Sequence, residues 1–73
     1  MEEYYSVVYK YQRGLFYWIR KKDEVRALPN ADIVAIFKEK EVYMAYTNAS
    51  NFIENNKEKQ LIPLSPKEIS DLL

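Results

Sequence analysis

The sequence predicts a small α+β protein: an antiparallel sheet of four or five strands, built from two β-hairpins, with two short helices in the C-terminal half. Three observations carry that expectation. Residues 4–11 and 15–22 are dense in Tyr, Val, Ile, Phe and Trp, and Gln12-Arg13-Gly14 separates them; β-branched and aromatic runs on either side of a turn read as a hairpin. A second pair of apolar runs, Ile33-Val34-Ala35-Ile36-Phe37 and Val42-Tyr43-Met44-Ala45-Tyr46, flanks Lys38-Glu39-Lys40-Glu41. Near the end, Ser65-Pro66-Lys67-Glu68 has the form of a capping box with proline at the first helical position. At 73 residues the chain has room for one domain, spanning 1–73.

The first hairpin is expected to turn through three residues, a type I turn ending on a left-handed Gly14, because arginine is a poor first residue for a two-residue primed loop. That register pairs Tyr11 with Leu15, Tyr9 with Tyr17, Val7 with Ile19 and Tyr5 with Lys21 on one nearly all-apolar face. Opposite it, Lys10 pairs with Phe16, Val8 with Trp18 and Ser6 with Arg20. The turn formers of residues 23–32 make a connection. For residues 33–46 a second hairpin is preferred over a single helix from Asn30 to Tyr46, since four consecutive charges would interrupt an apolar stripe. Thr47, Asn48 and Ser50 offer caps for a helix of about two turns towards Lys57. Leu61-Ile62-Pro63-Leu64 reads as an edge strand or an extended linker, limited by its proline. The capped terminal helix carries Ile69, Leu72 and Leu73 on one side, for packing on the sheet or for docking in a partner's groove.

Composition narrows the function. There is no cysteine and no histidine, so disulfide frameworks, thiol nucleophiles and the commonest metal ligand and proton shuttle are missing. One glycine cannot build a phosphate-cradling loop, and the adjacent carboxylates Glu2-Glu3 and Asp23-Glu24 do not form a dyad, because neighbouring strand residues point to opposite faces. A non-enzymatic protein without cofactor or metal is expected. The start Met1-Glu2-Glu3 has no basic region followed by an apolar run, and no apolar stretch is long enough to span a bilayer, so the expected setting is cytoplasmic, with no membrane partner.

The net charge is zero, yet the segment from Lys10 to Arg26 holds six cations against two anions, and the remainder is correspondingly acidic. Tryptophan and arginine are the residue types enriched at binding hot spots. The candidate partner-binding face is therefore the aromatic and basic side of the first hairpin: Val8, Lys10, Arg13, Phe16, Trp18, Arg20 and Lys22. Against it stands the reading that helices cover this side and its rings are core. The expected function is that of a small regulatory protein, an inhibitor, adaptor or accessory subunit of the kind common among phage and mobile-element products, which binds a larger protein. The alternative is a binder of single-stranded nucleic acid or of a nucleotide through the same face, demoted by the zero net charge. A second copy of the chain, giving a homodimer, is a further occupant for an uncovered apolar face.

Overall fold

The computed structural model describes residues 2–73. Strand β1 (Tyr4–Tyr11) is followed by β2 (Gly14–Arg20), a single 3-10 turn at Lys22–Glu24, β3 (Ala31–Glu39), helix α1 (Val42–Asn56) and helix α2 (Pro66–Leu72). The sheet is antiparallel with strand order β2-β1-β3. The α+β class stands, with three strands rather than four or five.

The second hairpin is replaced by a strand and a helix. Lys38 and Glu39 belong to β3, and α1 begins after Lys40 and Glu41. The segment expected as a strand, Val42–Tyr46, is the first part of a 15-residue helix. Its apolar residues Val42, Ala45, Tyr46, Ala49, Phe52 and Ile53 recur at helical spacing, and Ala45 and Ala49 are fully buried. Dividing that stripe at Thr47 leaves a β-branched and aromatic half that looks like a strand. Packing of Ala45, Ala49, Phe52 and Ile53 on the sheet overrides that local preference.

The first hairpin forms in a register one residue away from the expected one. Its loop is Gln12-Arg13, with Tyr11 opposite Gly14, Tyr9 opposite Phe16, Val8 opposite Tyr17 and Val7 opposite Trp18. Gly14 has φ +150°, and no other described residue has a positive φ, so the glycine provides the backbone freedom the turn needs. A one-residue slip exchanges the faces of a whole strand. Here Phe16, Trp18 and Arg20 move to the side of Tyr5, Val7 and Tyr9.

Both faces of the sheet are covered, which is why an apolar-versus-polar division does not identify the register. On one face Tyr5, Val7, Tyr9, Ile33 and Ile36 form a core packed against Val25, Leu28, Leu64, Ile69 and Leu73. On the other, Val8, Val34 and Ala35 pack with Ala49, Phe52 and Ile53 of α1 and with Leu61. β3 feeds both cores, and a β-bulge shifts its alternation so that Val34 and Ala35 join one core while Ile33 and Ile36 join the other. Val8 is opposite Ala35 and Tyr9 opposite Ile33, so Val34 is the extra residue and four consecutive apolar side chains are all buried. Complete burial of side chains such as Tyr5 and Tyr9 contributes roughly 2 kcal/mol each.

Buried tyrosines keep their hydroxyls satisfied at the margins. The Tyr5 hydroxyl donates to the Leu73 carbonyl at 3.2 Å, and that of Tyr9 donates to the Arg26 carbonyl. The stretch before α2 is an extended linker rather than a strand, with Leu64 donating its amide to the Ile33 carbonyl at 2.8 Å. At the start of α2, Ser65 Oγ accepts from the Glu68 amide at 3.1 Å and Glu68 Oε1 accepts from the Ser65 amide at 2.9 Å, the capping box read in the sequence.

Candidate functional site

Residues of the central strand are committed to the two cores, whereas every residue of β2 is only half-buried. β2 is an edge strand, and the covering layers shield it only in part. Its two rows of side chains therefore lie partly open, one on each face.

The first row holds Phe16, Trp18 and Arg20. Phe16 stacks on Tyr9, with ring centroids 5.2 Å apart and planes 15° from parallel. Trp18 meets Tyr9 edge-on at 5.4 Å and Phe16 at 5.9 Å, and Tyr11 meets Phe16 at 5.4 Å. The Arg20 guanidinium lies over the Trp18 ring, 4.3 Å from its centroid. Alternation along β2 aligns these three side chains, and the stacking holds the rings in fixed orientations. Beside Phe16 an apolar groove of about 320 Å³ is lined by Tyr11, Phe16, Leu28, Pro29, Asn30 and Ala31. The second row, Leu15, Tyr17 and Ile19, faces α1, where Tyr17 meets Tyr46 edge-on at 5.9 Å.

Of the seven residues expected to share one face, only Phe16, Trp18 and Arg20 come together. Val8 is fully buried in the core beneath α1 and is withdrawn as a contact residue. Lys10, opposite Leu15, lies on the α1 side at the end of β1. Arg13 is exposed in the loop and Lys22 is exposed in the 3-10 turn. The one-residue change of register separates Val8 and Lys10 from Phe16, Trp18 and Arg20, and Lys22 lies apart because β2 ends at Arg20.

Four ion pairs occur among the described residues: Lys21–Glu2, Lys38–Glu3, Lys57–Glu54 and Lys67–Asp71. None includes an arginine, and none includes Lys10 or Lys22. Burial pushes the Tyr9 hydroxyl above its ordinary pKa, and the charges of Arg20 and Arg26 oppose that shift. Arg26 thus belongs to the same electrostatic neighbourhood as Arg20. At the far end of β2, a hydrogen bond from the Tyr4 hydroxyl, followed by the charge of Lys21, holds the Glu2 carboxyl below its usual range.

Sequence reasoning counted Arg26 among the basic residues without placing it in the site, and it missed the Leu28-Pro29 wall of the groove, because both lie in a segment read only as a connection. It also missed the exposed start of α1, where Val42, Tyr43, Met44 and Tyr46 present apolar surface, Tyr43 being 74% exposed. The helical spacing through Ile53 was the signal available. Nearby, Glu3, Lys38, Glu39, Lys40, Glu41 and Met44 line a second depression of about 330 Å³ with mixed charge. Among the described residues no group of three or more Asp or Glu is placed to hold a metal ion, and no helix is long and apolar enough to cross a membrane. The one buried side-chain oxygen or nitrogen without a partner among them is the Ser6 hydroxyl, enclosed on the α1 side of β1. No family model, curated protein or solved structure matches this chain.

Proposed function

We propose that this chain is a small non-enzymatic regulatory protein that binds a larger protein, as an inhibitor, adaptor or accessory subunit, through the β2 side of its N-terminal hairpin. The observation that carries the reading is the half-open row Phe16, Trp18 and Arg20, with its two rings in edge-on contact and a guanidinium that makes no ion pair among the described residues. Rigid aromatic anchors beside an arginine bury much area at little entropic cost, and the adjoining groove has the apolar walls to take one side chain from a partner. Arg13, Lys22 and Arg26 supply a basic rim.

The test is comparative capture from native lysate with mass spectrometry, using wild type and Trp18→Ala. A partner retained by wild type and weakened by about 2 kcal/mol or more in a variant that circular dichroism finds folded supports the assignment. Equal retention by both removes it. The second reading is a single-stranded nucleic acid or nucleotide ligand, favoured by the same partly open rings and unpaired arginines. Affinity for an oligonucleotide that falls steeply with salt would promote it.

A further inference from the structure

The two edges of the sheet are not equivalent. On β3 the bulge at Val34 interrupts the ladder, and the linker residue Leu64 already bonds to the Ile33 carbonyl. β2 runs for seven residues in unbroken register with β1, without proline and with a single charge, at its last position. Such an edge presents outward N–H and C=O groups that accept another strand. Both side-chain rows of β2 are half-buried, so an added strand would extend the two cores together.

Charge selects the occupant. Arg13 precedes the strand, and Arg20, Lys21 and Lys22 close it. In an antiparallel pairing of two copies centred on Tyr17, Arg13 of each copy faces Lys21 of the other. A parallel pairing sets Arg20 beside its own copy. Like charges placed opposite one another are destabilising, so the flanking cations turn a second copy away. A segment with acidic ends meets cations at both of its ends. We propose that the free edge of β2 takes, as an added strand, an extended protein segment with an apolar middle of about seven residues and Asp or Glu at both ends. This rests on the protein-binding reading and names the chemistry of the partner.

The charge-reversed chain itself, Arg13→Glu/Lys21→Glu, provides such a segment, since its β2 keeps the apolar middle and both positions are exposed. Mixed in equal amounts, wild type and variant should sediment as a dimer at low salt and as monomers at high salt, while each alone stays monomeric. Amide exchange in β2 should slow about tenfold or more in the mixture. A peptide of residues 13–21 with the same two substitutions is the second probe, independent of how the variant folds; it should bind wild type, and the unaltered peptide should not. A monomeric mixture with no peptide binding, dimerisation of wild type alone, or protection confined to other strands would overturn strand addition. So would salt-sensitive binding of single-stranded oligothymidine with no β2 protection. The lysate comparison with Trp18→Ala reads the aromatic row separately, so the failure of either idea is visible without the other.

Discussion

The Arg20 guanidinium sits 4.3 Å from the centroid of the Trp18 ring, on a strand whose residues are all half-buried. A cation over a ring face is attracted by the ring quadrupole. Among the described residues Arg20 makes no ion pair, so its charge stays available next to the ring that a partner would meet.

Replacing Arg20→Ala should lower stability by about 0.5–1 kcal/mol, read as a reduced urea midpoint with an unchanged slope. Trp18 should also become more accessible to acrylamide, because the guanidinium shields one of its faces. Unaltered quenching would mean that the pair does not persist in solution.

Gly14 has φ +150°, and among the described residues no atom beyond the glycine and its two chain neighbours lies within 4 Å of where a Cβ would stand. The cost of a side chain there is therefore in the backbone, not in a clash. Gly14→Val should destabilise the protein by roughly 1 kcal/mol or more. A melting temperature equal to that of wild type would refute this conformation.

Ser6 is fully buried and its hydroxyl has no partner. An unsatisfied buried hydroxyl carries a desolvation penalty that alanine does not. Ser6→Ala is expected to leave stability unchanged or raise it by about 1 kcal/mol, measured by thermal or urea unfolding. A clear loss would show that the hydroxyl makes a bond in solution.

The Tyr9 hydroxyl is held above its ordinary value of 10.0, chiefly by burial, with Arg20 and Arg26 opposing. A folded-state pKa above the unfolded one favours the neutral phenol in the native state. Its contribution is complete below the unfolded value and is lost as pH rises from there through the folded value. Stability should therefore fall in the alkaline range. In Tyr9→Phe that part of the fall should disappear, while stability at neutral pH drops by about 1 kcal/mol because the Arg26 carbonyl loses its donor. Identical alkaline profiles for the two proteins would contradict the assignment.

Three features were legible because they are local. The aromatic runs around residues 12–14 make a hairpin, Gly14 is the residue that needs a positive φ, and the Ser65 and Glu68 pair caps the last helix within four residues. Basic residues clustered in the same hairpin were also visible, since charge is read directly from composition. What remained for the tertiary structure was the assignment of each side chain to a face. A strand with one wet side reveals its register by alternation, but β1 is buried on both sides, so Tyr9 beside Phe16 and Tyr9 beside Tyr17 look equally apolar in sequence. The same double cover decides that Val8 is core and that Trp18 joins Arg20 on the opposite face. It also decides α1, whose first turns favour a strand locally. Only packing of Ala45, Ala49, Phe52 and Ile53 against the sheet offsets that preference, and packing is a sum over residues far apart in the chain.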